Sequence, residues 1–72
     1  MKLNYYRETD SLYIDLSENV SVESREVADG VVLDYDAAGN VVGIDIDRAS
    51  TKVQLGRIVL HGMTQEIERT VA

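Results

Sequence analysis

The chain has 72 residues, 13 acidic against 7 basic, a net charge of −6, and no Cys, Pro, Phe or Trp. That length holds one domain over residues 1–72, the missing cysteines exclude disulfides and thiolate metal sites, and an acidic body repels phosphate backbones, which excludes nucleic acid as a partner. No apolar run approaches the ~20 residues of a membrane span, and Met1–Tyr5 has no signal-peptide core, so the expectation is a cytoplasmic chain with no membrane partner.

Taken in order, Lys2–Arg7 alternates, with Leu3 and Tyr5 on one side and Asn4 and Tyr6 on the other. Glu8-Thr9 turns the chain, and Asp10–Leu16 alternates again with Leu12, Ile14 and Leu16 inward. This first hairpin pairs Tyr5 with Leu12 and Leu3 with Ile14. After the polar loop Ser17–Asn19, Val20 and Val22 resume the inward set opposite Leu16 and Ile14. Counting by twos from there strands Val27 outside, so a β-bulge is expected near Ser24–Glu26 to bring it in. Asp29-Gly30 between alternating apolar runs is a strong hairpin signal.

Val31–Asp47 is the most regular stretch: two alternating strands around a turn at Ala37–Asn40. Folding it back sets Tyr35 opposite Val42, Leu33 opposite Ile44 and Val31 opposite Ile46. Asp34, Asp36, Asp45 and Asp47 project from the other face. A slip of one residue would move the apolar set into water, so the pattern specifies the pairing. Up to Asp47 the chain reads as an antiparallel meander of five strands with one apolar face.

A one-faced sheet needs a cover. Asp47 or Ser50 is placed to cap a short helix that Gly56 ends, with Ala49 and Val53 on one side. Ile58-Val59-Leu60 is an apolar run that alternation alone does not assign, and Thr64–Ala72 reads as a helix with Met63, Ile67 and Val71 four apart. The expected fold is therefore α+β: residues 1–47 form the sheet, and 48–72 supply a helix and an apolar tail. The tail residues Ile58, Val59, Leu60, Met63, Ile67 and Val71 are the candidate interface of a homodimer, because small cores gain from pairing.

Chemistry is thinly represented. Asp34, Asp36, Gly39 and Asp45 fall at positions of a calcium loop, but Ala38 and Val42 occupy ligand positions and the flanks are strands. A tight turn accounts for these residues more simply, and Asp34 and Asp45 read as a solvated sheet face, with Arg25 near enough to pair with Asp34. His61 is the only histidine, so no multi-histidine metal site forms within one chain. It reads as the end of a structural element. Gly43, mid-strand opposite Asp34, marks a close approach by another backbone. No catalytic residue and no cofactor are expected. Charge is uneven: residues 1–47 carry eleven acids against three bases, −8, whereas 48–72 carry +2. The acidic part offers a surface for a basic protein partner.

The spacing of Asp10-Ser11-Leu12-Tyr13-Ile14, then Asp29-Gly30-Val31-Val32-Leu33-Asp34-Tyr35-Asp36, then Gly39-Asn40-Val41-Val42-Gly43-Ile44-Asp45-Ile46 resembles a family of small bacterial proteins named only as domain of unknown function 2283. The resemblance covers residues 1–50 and stops short of the tail. At the first turn the family usually shows Tyr-Asp, where this chain has Tyr6-Arg7. The resemblance implies the sheet, leaves activity open, and is compatible with an antitoxin-like partner role. The reading is a non-enzymatic interaction or regulatory module; the alternative is a small metal-dependent hydrolase using Asp34, Asp36, Asp45 and His61.

Overall fold

The structure, a computed structural model, describes residues 1–62 and 67–70. Five strands form one antiparallel sheet: β1 (Lys2–Tyr6), β2 (Ser11–Asp15), β3 (Glu23–Ala28), β4 (Val31–Tyr35) and β5 (Val41–Ile46), in the order β1-β2-β5-β4-β3. A separate two-stranded sheet pairs β6 (Arg57–Leu60) with β7 (Ile67–Thr70).

The local hairpins follow their sequence patterns. Leu3 faces Ile14 and Tyr5 faces Leu12; Leu33 faces Ile44 and Val31 faces Ile46. Asp29-Gly30 joins β3 to β4, and Gly30 takes the left-handed φ of 72° that the turn requires. Two details move. Tyr35 pairs with Val41 rather than Val42, because Val42 is an extra residue in β5. The bulge of β3 falls at Val27 itself and leaves that side chain 55% exposed.

The sheet order overturns the meander. β5 lies between β4 and β2, and β3 is an edge strand with all six residues exposed. The reason is composition. Ile44 and Ile46 lie between Leu12 and Ile14 on one side and Val31 and Leu33 on the other. Glu23-Ser24-Arg25-Glu26 is charged, and a charged strand is tolerated at an edge where its far side meets water. Reaching that edge takes three strand spacings of about 4.8 Å each, within the span of the seven-residue link 16–22. Val20 and Val22 therefore lie exposed on this link, not opposite Leu16 and Ile14.

The helical cover is also corrected: the described residues contain no α-helix, and the fold is nearly all β. Residues Ala49–Thr51 make a single 3-10 turn, entered through a left-handed Arg48. A helix of seven residues cannot offset its nucleation cost. Competing bonds also hold this one open, since the Ser50 N–H and hydroxyl both donate to Asp10 and the Thr51 hydroxyl donates to the Arg48 carbonyl. In the tail, Ile67–Thr70 forms a strand on Arg57–Leu60, with Leu60 opposite Ile67. β-Branched Ile58, Val59, Ile67 and Thr70 suit an extended pair better than a nine-residue helix. Met63 and Val71, two of the six candidate interface residues, lie outside the described residues.

Among the described residues Leu12, Val42 and Ala49 are the buried hydrophobic ones, and none of the large side chains is fully enclosed. Leu33 and Ile44 are neighbours but only half-buried.

Candidate functional site

The polar face carries a chain of hydrogen bonds across four strands. Tyr13, on β2, lies over the bare backbone of Gly43 on β5 and donates its hydroxyl to Asp34 Oδ2 on β4 at 2.7 Å. Ser24, on edge strand β3, donates to the other oxygen of Asp34 at 2.6 Å. Gly43 thus admits a side chain, not the second backbone that its position suggested. The hydrogen bond to Asp34 is the chief cause that pushes the Tyr13 phenol up to about 12, with burial and the charges of Asp34, Asp15 and Asp45 adding to it. A phenol so held is a fixed donor, unsuited to moving protons near neutral pH. Arg25 does not reach Asp34. It faces Leu33, pairs with Glu23 at 3.0 Å and lies 5.4 Å from the Tyr35 ring centre.

Asp36 serves the turn. Its carboxylate accepts from the N–H groups of Ala38 and Asn40 and from the side-chain amides of Asn40 and Asn19. These bonds, led by the Asn40 N–H, hold its pKa below the ordinary carboxylate value, and the Asn19 amide ties the β2–β3 link to the β4–β5 turn. Asp10 plays the same part at the other end. It accepts from the Tyr5 hydroxyl, the Ser50 hydroxyl and the Ser50 N–H, and its pKa is lowered, chiefly by the Ser50 hydroxyl. Asp45 differs: burial first, then Asp47 and Asp34, push its pKa up.

The three candidate carboxylates are therefore placed for different tasks. Asp34 and Asp36 already accept several protein donors, and Asp45 stands across from Tyr13 and Val32. His61 is exposed, just past the end of β6. Among the described residues no three His, Cys, Asp or Glu side chains converge as a metal site. The Tyr13–Asp34–Ser24 chain and the Asp10–Ser50 bonds were not foreseen from sequence. Gly43 was the one signal of the first, and it could be read only once β5 was known to lie beside β2.

These shifts give a titration order. A carboxyl held below its usual pKa contributes stability above that value and loses it as pH falls through the lowered one; a raised carboxyl contributes below its usual pKa and loses that as pH rises through the raised one. On acidification Asp45 is expected to take up its proton before Asp10 and Asp36. Asp45→Asn should then raise the unfolding temperature at neutral pH, since it removes the crowded, partly dehydrated charge. Carbon-13 titration of the carboxyls checks the order, and Asp45 titrating at or below Asp36 would refute it.

The opposite face is apolar. A groove of about 790 Å³ runs between it and the segment after the 3-10 turn, with Leu3, Leu12, Ile14 and Ile46 on the sheet side and Leu55 and Ile58 on the other. The segment is anchored by the Ala49 N–H donating to the Asp10 carbonyl and by the Ser50 bonds. Leu3 is 44% and Tyr5 43% exposed, so the cover stops short of β1. Of the interface candidates, Ile58 lines this groove; Val59 and Leu60 follow it in β6, half-buried, and Ile67 lies opposite Leu60 in β7.

The model of a family described as "Protein of unknown function (DUF2283)" matches residues 2–50. That stretch takes in all five strands of the sheet and ends at Ser50, the residue bonded to Asp10. No curated protein and no solved structure matches the chain.

Proposed function

The chain belongs to the DUF2283 family, whose description names no activity, and we propose that it is a non-enzymatic module that binds another protein through the apolar face of its sheet. The observation that carries this reading is the unfinished core: a sheet with one apolar face, a groove beside it, and Leu3 and Tyr5 left in water. Large apolar patches on a small chain are costly to leave exposed and commonly mark contact surfaces. The polar face supports the same reading from the other side, because Asp34, Asp36 and the Tyr13 phenol are spent on holding the fold. No helix among the described residues is long and apolar enough to cross a membrane.

The test is cross-linking in the host cell, comparing the wild-type chain with Leu3→Lys. Leu3 lies on an edge strand, so the change should leave the fold intact. The wild type should be recovered cross-linked to protein, of its own kind or another, and the variant largely uncross-linked. Equal cross-linking of both would remove the face from the binding surface. A rise in unfolding temperature with millimolar calcium or manganese would instead favour the metal-dependent alternative, since a ligand of the native state stabilises it.

A further inference from the structure

We infer that the occupant of the apolar face is a second copy of this chain, stacked face to face so that Leu3, Tyr5 and Ile14 of one copy meet the groove bordered by Leu55 and Ile58 of the other. The inference rests on the binding-module reading above and names its partner. Three observations carry it.

The first is charge. Each copy is strongly acidic, with a net charge of −6, so association must keep the carboxylates apart. Asp15, Asp34 and Asp45 share the face opposite the groove, aligned with Gly43 and Tyr13. On the strands' apolar side the one carboxylate is Glu23, and Arg25 pairs with it, while Asp10 at the border of this face is held by the Tyr5 and Ser50 hydroxyls. Stacking on the apolar side turns both acidic faces outward, to their greatest separation. A basic partner, by contrast, would be drawn to the acidic side and leave the groove empty.

The second is area. Five strands of about five residues, about 4.8 Å apart and rising about 3.3 Å per residue, present on the order of 400 Å² in projection. The segment bordering the groove covers part of that face and presents its own outer side in exchange, so two copies together, roughened by side chains, approach the ~1,000 Å² that a specific interface needs.

The third is shape. The Cα envelope measures 34 × 31 × 18 Å, so the molecule is thin in one direction. Beside β1, where the segment leaves the sheet bare, a second apolar surface completes the core that one copy does not. A two-fold axis between the sheets places each copy's exposed β1 residues on the other's surface, the self-complementary arrangement of most dimers. Ile58 lies in this same surface, so the tail and the sheet face form one interface.

Sedimentation equilibrium of the purified full chain tests this. The wild type should run at twice its monomer mass of 8.0 kDa, and Leu3→Lys should raise the dissociation constant by on the order of 100-fold with the circular dichroism spectrum unchanged. Mixed isotope-labelled and unlabelled wild type supplies a readout that needs no variant: filtered NOEs between Leu3 or Tyr5 of one copy and Leu55 or Ile58 of the other are expected. A wild type that stays monomeric up to millimolar concentration overturns the inference, and cross-linking to a different protein in the host would then leave the module reading standing. A dimer that survives Leu3→Lys and lacks those NOEs also overturns it.

Discussion

Leu12→Ala is expected to cost about 2–5 kcal/mol, the range for emptying a buried leucine site. A chain of this length has roughly 4–11 kcal/mol of stability in all, so the variant should be close to unfolding at physiological temperature. Leu12 is the one large side chain of β2 that is buried. It faces Tyr5 on β1 and Ile46 on β5, and it lines the groove that Leu55 also borders. The cavity it leaves is walled on two sides by hydrogen-bonded strands, which cannot close inward without breaking the ladder. Leu33→Ala is the comparison. Leu33 has a similar cross-strand setting but is only half-buried, so it should cost distinctly less. Urea denaturation with an unchanged slope reports both. Equal midpoint shifts for the two variants would mean that Leu12 is not the centre of the core.

The second large effect is expected at Gly43→Ala. An added Cβ would overlap the Tyr13 hydroxyl and come to 2.6 Å from the ring carbon that bears it. The phenol must swing away, and its hydrogen bond to Asp34 is lost. Losing a bond to a charged group and repacking the ring should together cost about 1–3 kcal/mol. The sign of the coupling is the sharper test. In a Tyr13→Ala background there is no ring to displace, and alanine is ordinarily better than glycine inside a strand by roughly 0.5–1 kcal/mol. Gly43→Ala should then be neutral or stabilising, an interaction of 1 kcal/mol or more across the double-mutant cycle, as is found for residues in contact. Additive losses would show that Gly43 is there for another reason.

What could be read from the sequence was what neighbouring residues settle among themselves. Period-two alternation put Leu3, Leu12, Leu33 and Ile44 on one face and Tyr13, Asp34 and Asp45 on the other. The short turns at Glu8-Thr9 and Ala37–Asn40 set the Leu3–Ile14 and Leu33–Ile44 registers, because a one-residue slip inverts a whole strand. The place of β5 between β2 and β4 was not legible in that way. Strands compete for the central position by the apolar surface that each can bury on both sides, and the charged Glu23–Glu26 run loses that contest to Val41–Ile46. Everything that depends on the resulting order was decided by tertiary structure. Tyr13 reaches Asp34 only because a glycine strand lies between them. Ser50 is drawn out of a helix by an Asp10 forty residues away in sequence. The tail pairs as β6 and β7 because its β-branched residues find an extended partner, whereas a spacing of four, read along one segment, cannot register the bonds that a second segment offers.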